Sequence, residues 1–366
     1  MAMKKEALSA WLFENGGPVI RYRTATELMP AGDKPDIGRL RNELLKNPQV
    51  KKWLKNLVPP RFLTKESPGW NIHVLKSSLM DVHGPKPTVL TTTLGKLTDF
   101  GLKKGVPELD RRTLPYRKWL EDRGAISTGF DYYTQQMSAA FLSRAGYSRE
   151  TTVGAILKHR LNTVYEFVRK GDYDIYVPGR LIRKVPLIRP EVVPDGIVRL
   201  PLIFDIIGWA AYLPESGTKQ DWARADAILD YIFNDKYQKL TYGYGSVEVN
   251  HKRNFGVGWS VHLPRFGVPE QRGVNQSVVQ MINLLICFKS ARKHRWFKES
   301  IEHLEGFRTS DGTYLFPKKY LDERPEGYWV SGFHMGLGDT PRTRRVLEME
   351  STFWMAKFHK LLSESI

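Results

Sequence analysis

The residues best suited to chemistry lie in two glycine-rich stretches. Tyr242 to Gly267 (YGYGSVEVNHKRNFGVGWSVHLPRFG) gathers Tyr244, His251, Lys252, Arg253, Asn254, Trp259, His262 and Arg265. Gly327 to Asp339 (GYWVSGFHMGLGD) sets Tyr328, Trp329 and His334 among glycines. Histidine titrates near neutrality and suits proton transfer. Arginine and asparagine neutralise a developing anion, and tyrosine can return a proton to a leaving oxygen. Together these types suit β-elimination on an acidic glycan, with His262, His334, Tyr328 and Tyr244 as the proton-handling groups. His251, Lys252, Arg253, Asn254 and Arg265 would hold the anionic substrate, with Trp259 and Trp329 as stacking platforms. A third stretch, STGFDYYTQQMSAAF, opens a helix with Asp131, Tyr132, Tyr133, Gln135 and Gln136. A helix start facing a cavity attracts anions, which adds Tyr132 to the binding set. Each stretch also has a plain structural reading: a surface flap of solvated cations, a His334 bonded to a loop carbonyl, and Asp131 as a helix cap.

Helical segments must position these residues. Apolar residues recur at helical spacing in KEALSAWLFE and VIRYRTATELM, with NGGP between them as stop and start. The pattern continues through TVLTTTLGKLTDFGL, RTLPYRKWLED, YYTQQMSAAFLSRAG, RETTVGAILKHRLNTVYEFVRK, LPLIFDIIGWAAYL, DWARADAILDYIFN, NQSVVQMINLLICFKSAR and WFKESIEHLE. RVLEMESTFWMAKFHKLL closes the chain, with Asp339 or Thr340 as its cap. Its Phe353, Trp354, Phe358 and Leu361 share one face, which needs a partner. A short β-hairpin is expected in the first stretch, from VEV and WSVHL with KRNFG near the turn. The whole chain, 1–366, is expected to form one all-α domain of helical hairpins with that hairpin-like insertion. An open HEAT-like solenoid is the alternative.

Composition bounds the partners. The 366 residues are 41% hydrophobic, enough for a large core. The net charge of +17 favours anionic partners or reflects surface lysine. Cys287 is the single cysteine and excludes both an internal disulfide and a cysteine zinc cluster. No convincing signal peptide or membrane-long apolar stretch is present, so a cytoplasmic protein without a membrane span is expected.

Aromatic turns follow three of the helical pairs: GDYDIYVPG, TYGYGSV and SDGTYLFP. Tyr173, Tyr244 and Tyr314 are spaced 71 and 70 residues apart. An earlier turn, SPGWNIHV, carries Trp70 off that spacing. A glycine beside each ring lets the ring fold back onto the preceding hairpin. The turn GFRTSDGTYLFP, with Asp311, Gly312 and Tyr314, resembles the aromatic DG-x-W turn of the squalene cyclase and protein prenyltransferase superfamily, with Tyr314 in place of Trp. The resemblance implies an (α/α) toroid of about six hairpins around a central cavity, an architecture that toroid polysaccharide lyases share.

Several chemistries lack their motifs. No adjacent Asp pair, HExxH, Walker A or GxGxxG occurs, and no Asp/Cys/His zinc set. No metal or cofactor is expected. GWSVH lacks the second glycine of a nucleophile elbow, and Asp172 and Asp174 are too close in sequence for a glycosidase pair. The leading expectation is therefore lyase-type acid–base chemistry on an anionic substrate in a central cavity. The alternatives are a terpenoid cyclase- or prenyltransferase-like protein with non-standard chemistry, and a non-catalytic basic helical-repeat binding module. Runs such as KSARKHRWFK and TPRTRR make nucleic acid a less favoured partner.

Overall fold

The apolar periodicity is realised as helix along most of the chain, with a small four-stranded sheet. The computed structural model describes residues 5–30, 32, 35–62, 79–124, 129–250, 253–266, 274–338 and 340–364. They group into two compact units. One comprises Met1–Val58, His83–Arg112 and Pro264–Ile366, the other Pro59–Val82 and Thr113–Leu263. Trp70 and Asp339 lie outside the described residues, as do His251 and Lys252.

In the first unit, helix Lys5–Asn15 is followed by Pro18–Arg23, whose proline occupies a first-turn position where its missing N–H leaves nothing unpaired. Asp36 and Asn47 cap helices Ile37–Lys46 and Pro48–Asn56 with their side chains. Helix Leu90–Asp99 is buried along its whole length, although Thr91, Thr92, Thr93, Lys96, Thr98 and Asp99 are polar. Thr92 and Thr93 donate to the carbonyls of Gly84 and Pro87, at 3.1 and 2.6 Å. The closing helix, Arg344–Ser363, packs on Lys5–Asn15. Phe353, Trp354 and Phe358 are fully buried, and the Arg23 guanidinium lies 4.4 Å over Phe353. Thr343 caps this helix by accepting from the Val346 N–H, because the helix begins at Arg344, beyond the expected cap at Thr340. The ring of Tyr314 is buried, and its hydroxyl donates to Glu305 at the end of the preceding helix, Arg295–Glu305.

Helices Gly129–Leu142, Thr151–Val168, Ile203–Ser216 and Lys219–Phe233 build the second unit. Gly208 permits their close approach: a Cβ there would lie 2.5 Å from Leu157 Cδ2 and 3.2 Å from Ala140 Cα. Strands β1 (Arg61–Phe62) and β2 (Leu79–Met80) form a short antiparallel pair. Strands β3 (Tyr176–Ile182), β4 (Val185–Ile188), β5 (Gly245–Asn250) and β6 (Arg253–Val257) lie side by side in that order. β3/β4 and β5/β6 are antiparallel hairpins, and β4 runs parallel to β5.

The sheet corrects the expected hairpin. RNFGV, not WSVHL, pairs with the VEV strand, with Val247 opposite Phe255. Arg253 stands directly opposite Asn250. WSVHL cannot continue the ladder because Trp259 turns to φ +68°, and Ser260 instead makes a single bridge to Leu202. The β3–β4 hairpin was not expected. In GDYDIYVPG the Tyr173 ring stacks on Tyr231 at 4.4 Å, in the later helix Lys219–Phe233 and not on the preceding hairpin as expected, and the second half of the segment continues as β3.

Candidate functional site

Tyrosine hydroxyls organise the first stretch, in the second unit. The Val261 N–H donates to Tyr237 Oη at 3.0 Å, and Tyr237 Oη lies 2.5 Å from Tyr244 Oη. Tyr244 Oη in turn meets the Pro201 carbonyl. A carbonyl only accepts, so Tyr244 donates to Pro201 and Tyr237 donates to Tyr244. The relay runs in one direction, with every proton held. Burial pushes the Tyr244 phenol well above its ordinary range, and the neighbouring Tyr237 adds to this. Tyr244 is thus held neutral, and its main chain is in the left-handed region at φ +61°.

His262 sits half-buried beside this relay. Its Nε2 lies 3.0 Å from the Leu240 carbonyl and must carry the proton. Nδ1 then accepts from Ser260 Oγ at 2.8 Å, and Ser260 Oγ accepts from the Gly243 N–H, also at 2.8 Å. Both ring nitrogens are engaged within the protein. Tyr242, 44% exposed, lies 5.3 Å from the imidazole. Trp259 is half-buried with its ring edge-on to Phe204 at 5.3 Å, and Asn254 is exposed on β6 opposite Glu248. The side chain of Arg253 lies outside the described residues, and Arg265 is exposed in the other unit.

Tyr132 is buried between Tyr133 and His159, at ring distances of 5.7 and 6.4 Å. The glutamine pair that follows it has structural partners. Gln135 donates to the Gly124 carbonyl at 2.8 Å and Gln136 to Asp205 at 2.5 Å. The Asp205 carboxylate also receives both Nε and Nη2 of Arg160 and the Leu202 N–H. Arg160 also donates to the carbonyls of Val198 and Leu200. This buried knot ties three helices to the segment entering Ile203–Ser216.

Ion pairs hold the second stretch, in the first unit. Lys96 on the buried helix donates to Glu323 and to the carbonyls of His334 (2.9 Å) and Gly336. Arg342 donates to Glu350 (Nη2–Oε2 2.7 Å) and to the Leu321 carbonyl (2.7 Å). Glu350 Oε1 also accepts from the Leu337 N–H at 2.6 Å. Glycine is required at 336, where a Cβ would collide with the Arg342 guanidinium and the Glu323 stem. Burial raises the Glu350 carboxyl even though Arg342 opposes this. At Glu323 burial also acts to raise the carboxyl, but Lys96 and His334 outweigh it and the group lies below its ordinary range. His334 is fully buried: Nε2 meets the Gly327 carbonyl at 3.0 Å, and Nδ1 stands 3.9 Å from Glu323. The indole of Trp329, also buried, donates to Asp99 Oδ2 at 2.7 Å. Tyr328 alone of this group is substantially exposed, at 38%, with its ring 5.1 Å from His83.

The candidate residues therefore divide between the two units, with Arg265 falling in the first. Sequence reasoning missed Lys96, Glu323, Arg342 and Glu350 in the first unit, and Ser260 and Tyr237 in the second. A lysine in the otherwise uncharged core of LTTTLGKLTD was the available signal for the first. Among the described residues, no three His, Cys, Asp or Glu side chains gather as metal ligands would. Comparisons with protein-family models, curated proteins and solved structures found no match. Among the described residues, no helix is long and apolar enough to cross a membrane.

Proposed function

We propose that the protein is a basic, mainly helical binding protein whose partner is a polyanion, and that its proton-handling side chains serve the architecture. One contrast carries this reading. Tyr244 Oη, both ring nitrogens of His262 and Nε2 of His334 are spent on partners inside their own fold. Arg180, Arg183 and Lys184 are exposed, with neither ion pair nor hydrogen bond among the described residues. The net charge of +17 gives such a surface a long-range field for anions. In this reading the helical hairpins form the (α/α) toroid expected from the sequence, and the packing of the last helix on the first supports it. A cytoplasmic setting fits the single Cys287, whose thiol burial raises to about 12. The test is retention on immobilised heparin at physiological ionic strength, with elution only at higher salt. Flow-through without retention would remove the reading.

A second reading, acid–base chemistry on an acidic glycan, is favoured by one observation. His262 lies half-buried between Ser260 Oγ and the exposed ring of Tyr242. It predicts that the protein generates ultraviolet-absorbing unsaturated uronates from a uronate polysaccharide. If wild type does so and His262→Ala does not, this reading displaces the first.

A further inference from the structure

The β3–β4 hairpin carries its cations where they cost most. Ile182 and Val185 are its last pair, so the turn consists of Arg183 and Lys184 alone. Both are left-handed, at φ +50° and +68°. Two-residue turns of this kind favour Asn-Gly, because other side chains are strained there. Backbone strain of that kind collects at ligand clamps and functional sites. Beside the turn, Arg180 is exposed and Leu181 is 64% exposed. Arg189 at the base of the hairpin behaves differently, pairing with Asp172 at 2.5 Å.

We propose that this hairpin is the docking element for the polyanion and that the polyanion is duplex nucleic acid. The inference rests on the polyanion reading above. β4 is paired with β5 at Leu187, so the hairpin is two-stranded at its tip, Leu181 to Pro186; a two-stranded ribbon fits the major groove, which is about 12 Å wide. Arg180 and Arg183 would face phosphates with guanidinium forks, and Lys184 would add a point charge. Other partners fit the hairpin less well. β3 is an edge strand, but Pro178 removes a donor and Gly179, at φ +66°, lies within its register shift. Such an edge resists strand addition by another protein. No aromatic side chain lies between Gly179 and Pro186 to stack the bases of a single strand. One exposed leucine falls short of the two signals that stable bilayer attachment needs.

The experiment titrates a labelled mixed-sequence duplex with the full chain at several salt concentrations, followed by fluorescence anisotropy. Arg183→Asn/Lys184→Gly removes both cations and restores the residues the turn prefers. Its affinity should fall about tenfold or more, and its log–log salt slope should flatten by about 1.8, or about 0.9 for each phosphate no longer neutralised. The melting temperature should hold or rise, so weaker binding would not reflect unfolding. Unchanged affinity and slope, with wild type still binding duplex, would overturn the hairpin's role and leave the polyanion reading standing. Retention on heparin without duplex binding, or preference for phosphatidylserine vesicles, would overturn the choice of nucleic acid. Binding to none of these polyanions would overturn both.

Discussion

The two glycine-rich stretches carry similar residues but are held by different forces. Around Tyr237, Tyr244, Ser260 and His262, neutral hydroxyls and one imidazole pass hydrogen bonds in a fixed direction. Around Lys96, Glu323, Arg342 and Glu350, ion pairs are spent on carbonyls and an amide of the loop 321–338. In the second stretch Gly336 leaves room for the Arg342 and Glu323 side chains, whereas in the first Gly245 admits the Pro186 carbonyl. A histidine or tyrosine in such a loop therefore signals a loop in need of partners as readily as it signals a site.

That comparison breaks first on Lys96. Lys96→Met leaves Glu323 without its cation and two carbonyls without a donor. Glu323 keeps some solvent access, so the expected loss is about 3 kcal/mol, at the lower end for breaking a buried pair. The denaturant midpoint of the full chain measures it. The same variant tests the charge argument through pH. The Glu323 carboxyl is depressed in the fold, so its contribution is present above the unfolded value of about 4.3. It is lost as pH falls through the folded value. The gap in melting temperature between wild type and Lys96→Met should narrow in acid. A constant gap would mean that packing, not charge, sets the effect.

Tyr244→Phe should cost about 1–2 kcal/mol, since it leaves the Tyr237 hydroxyl and the Pro201 carbonyl short of a partner. This loss should not change across the acid range. Tyr237 and Tyr244 are both raised in the fold, by burial above all. Their stabilisation holds below the unfolded value of about 10 and declines above it as the unfolded phenols ionise. Wild type should therefore lose stability faster than Tyr244→Phe on the alkaline limb. His262→Gln comes next, at about 1 kcal/mol, because the site is half open to solvent. The smallest shift is a gain: Arg183→Asn/Lys184→Gly should stabilise by up to about 1 kcal/mol through relief of positive φ. Thermal melts of the full chain resolve all three.

Much of the helical framework was legible in the sequence. NGGP gave the first helix boundary, and the spacing of Phe353, Trp354 and Phe358 marked the buried face of the last helix. The aromatic rhythm was legible in part: Tyr244 and Tyr314 are buried against the helices before them, whereas Tyr173 stacks on Tyr231 of a helix that follows it. β3 was not, because Pro178 and Gly179 read as turn residues and an edge strand tolerates both. The site was legible only as residue types. The partners of His334 come from Glu323 and, through Lys96, from a segment more than two hundred residues away. Periodicity carries no information at that range. The polar helix Leu90–Asp99 hides its role for a related reason: its threonines bond to local carbonyls, so it needs no solvated face.

The central claim is that surface cations bind while the candidate acid–base residues hold the fold. It is tested most directly by one titration of a labelled heparin oligosaccharide, run in parallel on two variants. Arg180→Gln/Arg183→Asn/Lys184→Gly should lose affinity while its melting temperature holds or rises. Tyr244→Phe should lose melting temperature and keep its affinity. The opposite pattern, with affinity following Tyr244 and indifferent to the hairpin, would contradict the account and return the tyrosine–histidine region to the position of a ligand site.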